Sequence, residues 1–216
     1  MSRPARSAAA VILAAGESRR FGAQKLLAPL AGRPLVQHVI DAANASPLAG
    51  FVLVVGADAD AILAGVNVGR ARVVRNPDYA SGQASSLHTG LRALDEADAA
   101  LVLLGDVPGV TTALLEALLE KQRESGAPAV VSRWGGRPMP PALLHRDLWP
   151  DALALRGDVG MREVLAGRDD VAEVEVTSAL GTLDDVDTPD DHARLATRHD
   201  QILRRRRSAV RARRRE

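Results

Sequence analysis

Short apolar runs alternate with segments of helical periodicity from residue 8 to residue 133, and this alternation limits the fold more than any other feature. The runs "AAAVILA" (8–14), "FVLVVG" (51–56), "ARVVRN" (71–76), "AALVLLGD" (99–106) and "APAVVSR" (127–133) read as strands. The segments 34–45, 58–66, 83–96 and 111–125 between them read as helices. Pro34 would occupy the first turn of one helix and Asp58 the N-cap of the next. Thr111 and Gly126 would cap and stop the last. Brief, wholly apolar runs are the pattern of strands covered on both faces. Strand and helix in strict alternation build βαβ units and a mostly parallel sheet, with ligands bound beyond the carboxyl ends of the strands.

The second half is less regular. "GGRPMPPALLHRDLW" (135–149) sets three prolines around an apolar segment, and "GDVGMREVLAG" (157–167) reads as a loop entering a short helix. "VAEVEVT" (171–177) alternates apolar and acidic residues, as an exposed or edge strand does. "LDDVDTPDDHARLATRH" (183–199) is an acidic loop feeding a helix. No internal repeat or long linker interrupts the chain, so residues 1–199 read as one domain.

Composition removes several function classes. There is no cysteine, which excludes a disulfide framework, a cysteine zinc site and thiol catalysis. No apolar run reaches the ~20 residues that span a bilayer. The arginines before "SAAAVILAAG" give the amino end some likeness to a signal peptide, but the apolar part is short and a charged loop follows at once. It reads as a buried first strand of a cytoplasmic protein. Residues 204–216 hold eight of the 28 basic and one of the 27 acidic residues, so the remainder carries 20 against 26, a net of −6. The segment 200–216 is therefore a basic tail, expected to be disordered or a frayed helix. No aromatic residue is interleaved with its arginines, so stacking on nucleic-acid bases has no support.

Four stretches could carry chemistry. "VILAAGESRRFGAQKLL" (11–27) follows the first strand but fits neither the Walker pattern nor the dinucleotide fingerprint. Its parts still suit a polyphosphate. Ala14, Ala15 and Gly16 let backbone amides approach a ligand, and Arg19, Arg20 and Lys25 bring positive charge. Asp106 ends the fourth strand, where it could cap a turn or hold Mg²⁺ on a nucleotide phosphate. "LDDVDTPDD" (183–191) crowds aspartates that repel one another unless a cation relieves them. Asp187 or Thr188 could N-cap the helix that Pro189 opens, and Asp187 could also turn towards Asp106 to form an oxygen-rich metal site. "RNPDYASGQASSLHTG" (75–90) offers Gly82 for close approach. Ser85 and Ser86 there are either caps or ligands of a nucleobase or ribose.

Taken together, "LAAGESRRFGAQK", "GQASSL", "GDVP" and "DVDTPDD" resemble, in that order, the nucleotidyltransferases of molybdenum cofactor biosynthesis. The resemblance runs from about residue 8 to 197. It implies a three-layer α/β/α Rossmann-like nucleotidyltransferase fold with a mostly parallel central sheet. "LAAG", with Ala15 where the guanylyl branch has a second glycine, is similar to the cytidylyl branch and implies CTP. The resemblance further implies transfer of CMP to the phosphate of molybdopterin, with release of pyrophosphate. Asp106 and Asp187 would hold Mg²⁺, and Lys25 would stabilise charge at the α-phosphate. Arg20 and Arg19 would hold the outer phosphates. Leu13, Ala14, Ala15, Gly16, Gly82 and Ser86 would line the base and ribose. Arg137, Gly157 and Asp158 lie in the half expected to receive the acceptor. A molybdenum enzyme would take the product. The chain departs from many relatives at Met139-Pro140-Pro141, where they carry a Gly-His-Pro, so no histidine role transfers there. Other readings are the same chemistry on a sugar or alcohol phosphate, a nucleotide-gated delivery protein, and a reductase, for which the chain has no dinucleotide fingerprint.

Overall fold

The structure, a computed structural model, describes residues 5, 7–94 and 96–199. The basic tail expected at 200–216 lies outside the described residues. A seven-stranded sheet runs through the centre. Its strands are β1 (Ala8–Ala14), β4 (Gly50–Val55), β5 (Arg72–Arg75), β6 (Ala99–Leu104), β7 (Ala129–Trp134), β8 (Arg137–His145) and β9 (Val171–Glu175), in the order β5-β4-β1-β6-β8-β7-β9. All neighbours are parallel except that β8 pairs antiparallel with both β6 and β7. A two-stranded ribbon, β2 (Pro29–Leu30) and β3 (Arg33–Pro34), stands apart from the sheet.

Alternate side chains of the strands feed two cores. Ala10, Ile12 and Ala14 of β1 face helices α1 (Leu35–Ala45), α2 (Ala59–Gly65) and α4 (Thr112–Ser125), where Ile40, Ile62, Leu115 and Leu118 are fully buried. Ala9 and Val11 face α3 (Gln83–Arg92), α5 (Trp149–Ala154) and α6 (Met161–Leu165). The result is the expected three-layer α/β/α arrangement around a mostly parallel sheet. Burying strands on both faces explains why they read as continuous apolar runs. Close packing uses glycine where helix meets sheet: a Cβ at Gly90 of α3 would stand 2.2 Å from the Val11 side chain.

Several local expectations change. Pro34 does not open α1. It closes the β2–β3 ribbon and precedes the helix, which starts at Leu35. Asp58 sits at the N-cap position of α2 in a left-handed conformation (φ 51°) without a capping hydrogen bond; its carboxylate is used elsewhere. Helix α3 stops at Arg92 rather than Glu96, because the Ala93 and Leu94 N–H groups turn back to Gly90 and Leu91. The proline-rich segment forms β8, which inserts between β6 and β7 with a register shift at Val131/Ser132. Thr111 and Gly126 cap α4 as expected: Thr111 Oγ accepts the Leu114 N–H at 3.2 Å, and Gly126 is left-handed. Of the segment 171–177, Val171–Glu175 form β9 at the sheet edge. The final helix, α7 (189–199), docks Leu195 against Leu30, Leu35 and Val186. No helix among the described residues is long and apolar enough to cross a membrane.

Candidate active site

The loop after β1 crosses the carboxyl edge of the sheet and is held by its own side chains. Ser18, left-handed at φ 55°, accepts the Lys25 N–H at 3.1 Å and donates to Gln24 Oε1 at 3.0 Å. Gln24 Oε1 also accepts the Leu26 N–H at 3.3 Å, which caps the single turn Lys25–Leu27. The Gln24 amide donates to Asp58 Oδ2 at 3.2 Å, tying the loop to the start of α2. These bonds close residues 16–25 into a ring and fix the base of the Lys25 side chain. Around Gly16 nothing lies within 4 Å of where a Cβ would stand, so its backbone is open to a ligand.

Two acidic segments meet this ring. Asp106 stands two residues beyond β6. The main chain there is stitched to the 180s: Val186 N–H donates to Asp106 O at 3.1 Å, Thr182 N–H to Gly109 O at 3.1 Å, and Thr111 Oγ to Leu180 O at 2.5 Å. Thr188, not Asp187, caps α7. Its hydroxyl accepts the Asp191 N–H at 3.2 Å, and Asp191 Oδ2 accepts from the Thr188 N–H at 2.8 Å and from the Asp187 N–H at 3.2 Å. This is a capping box with aspartate in the acidic position. It leaves the Asp187 carboxylate free to point inward.

There Lys25 Nζ lies 2.6 Å from Asp106 Oδ2 and 2.9 Å from Asp187 Oδ1, while Arg20 reaches Asp187 Oδ2 at 2.8 Å. The Lys25 side chain is only 13% exposed. Burial works against its charge, but Asp106 and Asp187 outweigh burial and hold the ammonium above its ordinary pKa. Asp185 is pushed up, first by burial and then by the neighbouring Asp187 and Asp106. Arg19 lies further out, paired with Glu17 at 2.6 Å.

The opposite wall is the N-terminus of α3. Gly82 precedes it at φ 111°, ψ 173°, a region essentially closed to other residues. A Cβ there would stand 2.3 Å from Gly157 C and 2.6 Å from Asp158 N, so the 157–158 loop packs directly on the glycine. Buried Asn76 donates to Ser85 Oγ at 2.8 Å and Ser86 Oγ at 3.0 Å. Ser85 is further committed to the Asp78 and Gly82 carbonyls.

Between these walls lies a cavity of about 550 Å³. Leu13, Ala14, Ala15, Gly16, Arg19, Arg20, Lys25, Gly82, Ser86, Asp106 and Asp187, the residues singled out in the sequence, all line it. So does Asp158, whereas Arg137 opens β8 as an exposed residue away from the lining. Tyr79, Gln83 and Leu104 also line it and carried no sequence signal of their own. Tyr79 is recognisable only once the fold brings it beside Ala15 and Gly56.

Asp106 and Asp187 suit a hard divalent ion. Both aim oxygens at one cation position, now held by the ammonium, and Mg²⁺ commonly takes one or two carboxylates and completes its shell with water and phosphate oxygens. Among the described residues no cluster of three or more His, Asp or Glu side chains forms a metal cage.

An amide-rich loop with a largely covered lysine, facing paired carboxylates at the carboxyl edge of a parallel sheet, is an arrangement suited to binding a nucleotide phosphate. The chain belongs to the MobA-like NTP transferase domain family, whose pattern matches residues 10–174. It is 34% identical over 197 residues to nicotine blue oxidoreductase of Paenarthrobacter nicotinovorans, covering 86% of this chain and 94% of that protein. It is 35% identical over 130 residues to bifunctional protein GlmU of Sinorhizobium fredii, covering 58% of this chain but spanning only 28% of that protein's length. Among solved structures, the homologue of Mycobacterium tuberculosis Rv0371c from Mycobacterium sp. strain JC1 superposes with TM-score 0.79 at 29% identity, covering 90% of this chain and 98% of that one. Rv0371c of M. tuberculosis in complex with manganese gives 0.77 at 26%, covering 88% and 98%.

Proposed function

We propose that this nucleotidyltransferase transfers CMP from CTP to the phosphate of molybdopterin and releases pyrophosphate, with Mg²⁺ bound by Asp106 and Asp187. The observation that carries the reading is the convergence of Lys25, Asp106 and Asp187 beside the glycine loop. The acceptor phosphate is already an anion, so the reaction needs alignment and charge neutralisation more than a strong base. The metal ion would neutralise charge between the α-phosphate and the incoming oxygen. Lys25 holds positive charge where the pyrophosphate leaves. Arg20 and Arg19 hold the outer phosphates, assisted by the amides of residues 15–18. Leu13, Ala14, Gly82 and Ser86 form the base and ribose walls. Ala15, whose methyl is buried near Gly56 and Tyr79, stands where the guanylyl branch has a second glycine, and that likeness to the cytidylyl branch supports CTP. A molybdenum enzyme would receive the product.

The name of the relative from P. nicotinovorans, nicotine blue oxidoreductase, supports a second reading, an oxidoreductase. The two separate in one assay set. The protein is incubated with each nucleoside triphosphate, Mg²⁺ and either molybdopterin or a sugar or alcohol phosphate, and pyrophosphate release is followed. A parallel reaction follows NAD(P)H oxidation. Release with CTP and molybdopterin is expected. Release with GTP alone overturns the base assignment, release with another acceptor overturns the acceptor, and NAD(P)H oxidation without release overturns the transferase reading.

A further inference from the structure

The ammonium of Lys25 stands where the two carboxylates aim, and the geometry points to a second role for this residue. We propose that Lys25 is the resident counter-ion of Asp106 and Asp187, and that it makes divalent-metal binding depend on the arrival of a triphosphate. The inference rests on the metal assignment to Asp106 and Asp187 and on no choice of base or acceptor.

Three facts support it. The two Lys25 contacts, at 2.6 and 2.9 Å, go to different carboxylates, so one ammonium satisfies both. Its side chain is only 13% exposed, and Ser18 Oγ accepts its backbone N–H, so the ammonium is largely withdrawn from water and its only described ion-pair partners are these two carboxylates. Arg20 takes the remaining Asp187 oxygen. The carboxylates are therefore already neutralised. A divalent ion entering alone would have to push Lys25 aside and leave a half-dry ammonium beside a like charge. A triphosphate in the cavity changes the balance. Its oxygens give Lys25 and Arg20 new partners, and the released carboxylates can then take the ion. Metal and nucleotide thus bind with positive coupling, and the coupling is reciprocal.

The test uses Mn²⁺ alone, titrated into the full chain and followed by the electron paramagnetic resonance signal of the free ion. Lys25→Met keeps the length of the side chain and removes its charge. It should raise nucleotide-free Mn²⁺ affinity by about tenfold or more, within the ~5–150-fold span usual for coupled sites. Arg20→Met, whose partner pair is exposed, should raise it by less. Adding Asp106→Asn to the Lys25→Met protein should remove the gain. If Lys25→Met folds poorly, Mn²⁺ should raise its melting temperature more than it raises that of the unmodified protein. Equal or weaker Mn²⁺ binding by Lys25→Met, with Asp106→Asn still impairing binding, overturns the counter-ion role alone. Mn²⁺ binding that neither Asp106→Asn nor Asp187→Asn alters overturns the metal assignment beneath it.

Discussion

Replacing Gly82 with alanine tests how the cavity wall is built. Gly82 has φ 111° and ψ 173°, where a side chain costs about 1–3 kcal/mol. The added Cβ would also meet backbone: Gly157 C at 2.3 Å, Gly157 O at 2.4 Å and Asp158 N at 2.6 Å. Backbone cannot rotate away as a flexible side chain can, so the 157–158 loop must shift, and overpacking of this kind costs about 1–3 kcal/mol more. Gly157 is the internal control. It is also left-handed, at φ 75°, but nothing lies within 4 Å of its missing Cβ. Gly157→Ala should show only the conformational cost of about 1–2 kcal/mol. For a chain of this size each kcal/mol lowers the melting temperature by roughly 2–4 °C. Calorimetry of the two variants should therefore place Gly82→Ala clearly below Gly157→Ala. Nucleotide KM should rise in Gly82→Ala, because the displaced loop bears Asp158, which lines the cavity. Gly82→Ala melting at or above Gly157→Ala would refute the packing argument.

Other outcomes follow from the site. Lys25→Ala should lower turnover by on the order of 10²–10³ with a smaller effect on nucleotide binding, checked by steady-state kinetics beside nucleotide titration. Thr188→Ala removes the cap of α7 and should cost about 0.5–2 kcal/mol in denaturant melts. It should also weaken Mn²⁺ binding, because the same box fixes the Asp187 backbone. Ala15→Gly, which restores the second glycine of the guanylyl branch, should shift the ratio of kcat/KM towards GTP, measured by competition between the two triphosphates. Leu115→Ala, truncating a fully buried side chain beneath the sheet, should cost about 2–5 kcal/mol with the chemistry of the site unchanged.

The parallel strands were legible because burial on both faces leaves an uninterrupted apolar run. The site loop was legible because glycine and cations directly after such a run have few other uses. β8 was not, since a proline-rich stretch argues against an inner strand and only its neighbours supply the pairing that overrides this. The β2–β3 ribbon escaped because four residues carry no periodicity. Asp58 misled for a different reason. An aspartate before a helix reads as a cap, yet here the nearby Gln24 takes its carboxylate, a partner 34 positions away in sequence. At the acidic segment both Asp187 and Thr188 fitted the cap. The hydrogen bonds of Asp191 decide for Thr188, and that choice is what frees Asp187 for the cavity.

The bond from the Val186 N–H to the Asp106 carbonyl has a bearing on how such a site can diversify. It joins two segments that are far apart in sequence through main chain, so one of the ties that bring the two carboxylates together does not depend on side-chain identity. Residues lining the cavity can change, and with them the base or acceptor, while this tie between Asp106 and the segment that carries Asp187, the proposed ion ligands, stays in place. For an engineer, the stretches 105–111 and 180–191 form one transplantable cassette. Grafting either without the other would carry over an acid but lose the tie that joins the two.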